Sequence, residues 1–273
     1  MKVSCVLSGI RHIQDDMGVC FTLIEGRNRA LLFDAGYGME DVSALIRSLT
    51  DKPVKVLLSH GHHDHILGAR WFPEAWISTE DMEEFRERTG KNQRIKVMKQ
   101  AKDRGVSTPE DFLSFRMPEP KSLRFTESHG PFSMLREDLG GMEAQVIRVP
   151  GHTPGSLMVF IPEIRLLLTG DDWNPCTWMW FPSSASAKVW RSNMLEALEQ
   201  LEAVNGCSVE HVLCSHQPML RSGKELKDYL FFMTPEKMEK SPAVDMGAPI
   251  RTHEIRKDPE GWQLVFDYDK LSM

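Results

Sequence analysis

The run Ser59-His60-Gly61-His62-His63-Asp64-His65 constrains this chain more than any other stretch. It follows Val54-Lys55-Val56-Leu57-Leu58, which reads as a short buried strand of mostly branched apolar residues. If the chain stays extended past the strand end, His60, His62 and Asp64 share one side, because side chains alternate with period two. His65 then turns to a neighbouring point. That pattern suits two metal ions a few Å apart better than one. Imidazole and carboxylate are donors that zinc, manganese and iron all accept.

Three further pieces have the same form. Gly151-His152-Thr153-Pro154-Gly155-Ser156 places a His in a glycine-flanked turn after the apolar stretch Val146–Val149. Leu166-Leu167-Leu168-Thr169-Gly170-Asp171-Asp172 ends an apolar strand in a Gly and two carboxylates. Val212-Leu213-Cys214-Ser215-His216 ends another strand in a His. Loops held at the ends of buried strands are where α/β folds build their sites.

In this order, these pieces resemble the metallo-β-lactamase-fold hydrolase superfamily and its glyoxalase II- and lactonase-like branch of small hydrolases. Leu32-Phe33-Asp34-Ala35-Gly36 is similar to the Asp-containing turn that such proteins carry near the start. The resemblance implies an α/β (α+β) fold: a four-layered αββα sandwich spanning 1–273 as one domain. It implies that His60, His62 and His152 hold one metal, and that Asp64, His65 and His216 hold a second. Asp171 would bridge the two, chosen over Asp172 because it directly follows Gly170. Asp34 would support a ligand loop from behind, fixing a His tautomer; a turn carboxylate capping its own loop is the plainer alternative.

Length and composition bound the reading. The chain has 273 residues, 41% hydrophobic and 26% charged, which is ordinary for a globular protein. A net charge of −6 argues against a general nucleic-acid binder. The opening strand-like run is interrupted too early for a signal peptide, and no apolar run reaches membrane-spanning length, so no membrane partner is expected. Five cysteines without a Cys-x-x-Cys pair fit reduced thiols and a cytoplasmic location. Cys214 lies two residues before His216 and reads as a small buried residue.

Strands are expected over 2–7, 18–24, 30–34 and 54–58, with a helix over 40–49. A second meander is expected over 143–149, 156–161 and 164–169, with long helices over 185–204 and 223–238 and a closing hairpin over 250–256 and 262–268. The interval from His65 to His152 exceeds what a simple strand–helix–strand needs. It suggests a helical insertion over about 79–140 that caps the cleft.

Two cations sharing a water would lower its pKa toward neutrality and supply a metal-bound hydroxide for attack on a small carbonyl substrate: a thioester, lactone or lactam. Asp64 or Asp171 would carry a proton. Zinc is the expected ion, with manganese or iron accepted by the same donors. Trp173, Asn174, Trp178 and Trp180 follow the bridging Asp and read as a pocket wall for an acyl or aromatic group. His63, His12, His129, His211 and His253 stay outside the ligand set. Asn174 stands where the lactonases carry a Tyr, which counts against them. A mononuclear iron persulfide dioxygenase of the same fold and a phosphodiesterase remain alternatives. Oligomeric state is not legible here.

Overall fold

The computed structural model describes residues 1–272. The chain opens as an antiparallel meander: β1 (Lys2–Leu7), β2 (Ile10–Gln14), β3 (Cys20–Glu25) and β4 (Ala30–Phe33). Helix α1 (Val42–Leu49) starts where the Asp41 side chain accepts from Ala44 N, and it buries Val42 and Ile46. It leads to β5 (Val54–Leu57), parallel to β4. Helix α2 (His63–Ile66) continues as a 3-10 turn over Leu67–Trp71 into β6 (Trp76–Ile77). Then come α3 (Met82–Arg88), α4 (Lys91–Asp103) and β7 (Lys121–Ser122). Strands β1 to β7 form a seven-stranded sheet in that order.

The second half builds another sheet from β8 (Glu127–His129), β9 (Phe132–Asp138), β10 (Glu143–Arg148), β11 (Leu157–Ile161) and β12 (Leu166–Leu168). Strand β13 (Cys176–Met179) and helix α5 (Ala187–Asn205) precede β14 (His211–Leu213) and β15 (Arg221–Ser222). The second sheet has the order β15-β14-β12-β11-β10-β9-β8. Helices α6 (Gly223–Phe232) and α7 (Pro235–Glu239) lead to the hairpin β16 (Thr252–Lys257) and β17 (Trp262–Asp267), and β17 pairs in parallel with β13 in a third sheet.

The layering follows from which faces are apolar. Leu31, Phe33, Leu57, Val146, Val159, Leu168 and Leu213 form the core between the two large sheets. Leu23, Leu32 and Val56 face outward to α1. Trp190, Met194, Leu198 and Leu201 bring α5 onto the other outer face, together with Leu226 and Leu230 of α6. This is the αββα sandwich. Among the described residues, no helix is long and apolar enough to cross a membrane.

Three local expectations change. The chain does not stay extended through Asp64: α2 starts at His63, so Asp64 and His65 leave the strand-end alternation that His60 and His62 follow. The expected helix over 223–238 is two helices, because Thr234 caps a new start with Pro235 in its first turn. The helical part of 79–140 ends at Asp103. From Glu127 the chain joins the second sheet, where buried Phe132 and Met134 pack into the core under α5.

Candidate metal centre

The parallel pairs β4–β5 and β12–β14 set the frame. Asp34 follows β4, the His cluster follows β5, Asp171 follows β12 and His216 follows β14. Strand β10, two antiparallel steps from β12, runs in the same sense and leads to His152. Backbone bonds tie these loops together: Leu157 N donates to Ser59 O at 2.8 Å, and Ser215 N to Gly170 O at 3.2 Å.

Two groups of donors converge, each able to hold a metal ion, with donor atoms within 4.8 Å of one another. One is His60, His62 and His152. The other is Asp64, His65, Asp171 and His216. Asp171 Oδ2 joins them, lying 3.1 Å from His216 Nε2, 3.4 Å from His65 Nε2 and 3.7 Å from His152 Nε2. His63 lies outside both groups, edge-on to the Tyr37 ring at 5.5 Å. His12, His129 and His253 bond elsewhere, to Thr22, Glu127 and Ser241.

The imidazoles are held from behind. His60 Nδ1 meets Ser59 Oγ at 2.9 Å, His65 Nδ1 meets Asp34 Oδ2 at 2.9 Å, and His152 Nδ1 meets the Trp178 carbonyl at 2.8 Å. His62 is reversed: its Nε2 faces Glu84 Oε1 at 3.3 Å, while Nδ1 points to His152 Nε2 at 3.0 Å. A ring nitrogen that donates backward leaves the other with a free lone pair. His60 Nε2, His65 Nε2 and Asp171 Oδ1 are buried with no hydrogen-bond partner. Unpaired buried acceptors are costly, and a divalent cation is a partner that fits converging lone pairs.

Charge follows burial and neighbours. Burial pushes His60 well below the usual imidazole range and His152 down to about 3. Burial opposes charge on Asp64 as well, but His65, His63 and His216 outweigh it and hold the carboxyl at about 2. His65 goes up despite its burial, because Asp171, Asp64 and Asp34 surround it.

Asp34 had a sequence signal in its turn after a strand, whereas Asp81 and the close approach at Gly61 had none. Asp34, with φ at 67°, accepts from Ser59 N at 2.7 Å and Ser59 Oγ at 2.8 Å besides His65. Asp81 joins two loops by accepting from Gly61 N, Thr153 Oγ1 and Gly155 N at 2.7–2.8 Å. A Cβ on Gly61 would lie 2.8 Å from Phe85 N, so only glycine lets α3 come this close. Asp172 is buried and accepts from His152 N at 2.8 Å.

The expected pocket wall is corrected at two positions. Trp173 is fully buried in the core, its ring edge-on to Tyr229 at 6.1 Å. Asn174 is buried too, and its Oδ1 accepts from Cys176 N at 2.9 Å to shape the turn into β13. The reason is strand pairing: β13 docks on β17 and pulls the chain before it inward. Trp178 is 40% exposed, and Trp180 stacks on Phe181 at 4.6 Å. Phe181, not singled out above, is the aromatic beside the centre, with its ring 4.8 Å from His62 and 5.2 Å from His152. Cys214 is buried, and burial pushes its thiol up to about 12.

Residues 16–172 match the family model of the metallo-beta-lactamase superfamily. The chain belongs to that superfamily. A curated relative, the acyl-coenzyme A thioesterase MBLAC2 of Gallus gallus, is 25% identical over 174 residues, covering 56% of this chain. The match spans 60% of that relative's length, less than two thirds. Among solved structures, a sec-alkylsulfatase from Pseudomonas sp. aligns with TM-score 0.62 at 16% identity, over 87% of this chain and 42% of its own. An archaeal superfamily protein from Sulfolobus tokodaii aligns with TM-score 0.54 at 16% identity, over 90% and 91%. Such distant likenesses carry the fold alone.

Proposed function

We propose that the protein is a dinuclear metal-dependent hydrolase of small carbonyl substrates, with acyl thioesters first among them. The observation that carries this reading is the pair of donor groups meeting at Asp171. His60, His62 and His152 would hold one cation, and Asp64, His65 and His216 the other, with Asp171 shared. When bound, such cations acidify water and polarise a carbonyl oxygen.

The chain's own residues supply the rest. Ser59, Asp34, Glu84 and the Trp178 carbonyl keep the imidazoles in one tautomer each. Asp171 Oδ1, which has no hydrogen-bond partner, and Asp64 are the carboxylates set to receive or pass a proton. Phe181, Trp180 and Trp178 form an apolar flank that suits an acyl chain. The α3–α4 segment flanks the His62 side through Glu84. The curated relative's thioesterase name supports the substrate class. The five cysteines are all free, which supports a reducing, cytosolic setting. We read the substrate as a small molecule rather than a nucleic acid.

The test is elemental analysis of protein purified without added metal, followed by a panel of thioesters, lactones and lactams. Two zinc or manganese ions per chain with thioester turnover are expected. A single iron with oxygen uptake on a persulfide would replace this reading with an oxidative one, and no turnover on any panel member would end it.

A further inference from the structure

The loop that carries Phe181 has little regular structure, yet it holds an aromatic ring against two histidines of the candidate centre. Its anchor comes from far along the chain. Lys270 lies in the 3-10 turn Tyr268–Ser272 that follows β17. Its ammonium donates to the Phe181 carbonyl at 2.9 Å, the Pro182 carbonyl at 2.9 Å and the Ser184 carbonyl at 2.7 Å. An ammonium has three N–H donors, so these three acceptors use all of them. The loop is pinned from its other side by Ser184 Oγ on the His152 carbonyl at 2.7 Å and by Ala185 N on the Gly151 carbonyl at 2.9 Å.

We propose that Lys270 is a positioning residue that clamps the 181–184 loop. It thereby fixes the Trp180–Phe181 wall over the His62 and His152 end of the centre. The third sheet then has a function: β17 pairs with β13, which carries Trp178, and the turn after β17 supplies the clamp. One hairpin thus sets both ends of the aromatic flank. Within the loop the Phe181 carbonyl also accepts from Ser184 N at 3.0 Å, and the fixed cation draws all three carbonyls to one point. The consequence for specificity rests on the thioesterase reading: a fixed wall discriminates acyl chains by length, and a loose one does not.

The test compares wild type with Lys270→Met and Lys270→Arg. Hydrogen exchange read by mass spectrometry is expected to rise on the order of ten-fold across 181–186 in Lys270→Met, with β10 and β11 unchanged. Under the thioesterase reading, kcat/KM for decanoyl-coenzyme A falls on the order of ten-fold more than for acetyl-coenzyme A, since a displaced wall acts on the long chain. Lys270→Arg, which keeps charge and donors, brings both readouts back toward wild type. Unchanged exchange in the loop would overturn the clamp, as would loss of protection throughout β10 and β11, which would make Lys270 a residue of the fold at large. An equal fall for both chain lengths would overturn the specificity role. If wild type cleaves neither thioester, the function reading fails and the exchange data alone decide the clamp.

Discussion

Glu84 Oε1 lies 3.3 Å from His62 Nε2, and Arg88, one turn along α3, grips the same oxygen at 2.6 Å. The His62 ring beside it holds the Glu84 carboxyl at about 2, with Arg88 adding to this against burial. An ionised carboxylate here makes Nε2 of His62 the donor and leaves Nδ1 free to bind a cation beside His152 Nε2. Glu84→Ala is expected to weaken metal binding by about 10–100-fold, read by competition with a chelator. Glu84→Gln keeps an acceptor oxygen and loses less. Equal affinity in all three proteins would show that the contact does not set the tautomer.

Asp34 is a second such support, with a structural cost attached. It is fully buried and takes its bonds from Ser59 and His65 in a left-handed backbone conformation. Asp34→Ala leaves those donors unpaired and puts Ala at positive φ. A loss of about 3 kcal/mol or more is expected in urea unfolding of the metal-free protein. Asp34→Asn tolerates the backbone better and costs less. A loss within about 0.5 kcal/mol for Asp34→Ala, as at an ordinary surface position, would contradict the hub role.

Trp173 and Trp178 separate core from wall within one short segment. Trp173→Ala is expected to cost about 3–5 kcal/mol, because it empties a fully buried site. Trp178, 40% exposed, is expected to cost far less in stability on truncation and to act on substrate affinity instead. Chemical denaturation beside KM measurements gives both values; similar stability losses would refute the division.

His12 gives a pH signature away from the centre. It is buried, and its ring bonds Thr22 Oγ1 and the Gln217 carbonyl, each at 2.9 Å. Burial lowers its pKa below the ordinary 6.5, against the pull of the Gln217 carbonyl. The native state therefore favours the neutral ring. Its contribution is complete above the unfolded value of 6.5 and is lost as pH falls from there toward the lower folded value. Between pH 7.5 and 5.5 wild type should lose more stability than His12→Gln, measured as unfolding midpoints. Parallel pH profiles would show that His12 takes up no extra proton on unfolding.

Much of the centre was legible because its donors sit in short local patterns. His60, His62, Asp64 and His65 share one loop, and His152, Asp171 and His216 each follow an apolar strand with a glycine or small residue close by. Of their supports, Asp34 was named from its turn, and the others were not legible. Glu84 lies among other charged residues in the expected helical insertion, and only the close approach at Gly61 brings it to His62. Phe181 sat in a segment rich in larger rings, and nothing local ranked it above Trp173. Lys270 meets residues 86 to 89 positions earlier, a separation no periodicity reports.

The sequence by itself determined a mixed α/β class, the strand ends that carry the donors and the identity of those donors, because apolar alternation and metal-binding side chains are local properties; the sandwich was what the resemblance implied. The resemblance implied how the donors divide, and the tertiary structure supplied the physical reason. The helix that starts at His63 sends Asp64 and His65 to one group and leaves His60 and His62 in the other. It also decided which aromatics face the site: pairing of β13 with β17 buries Trp173, and Lys270 holds Phe181 in place. Both outcomes depend on contacts between segments far apart in the chain, whose energies exist only once the sheets have packed.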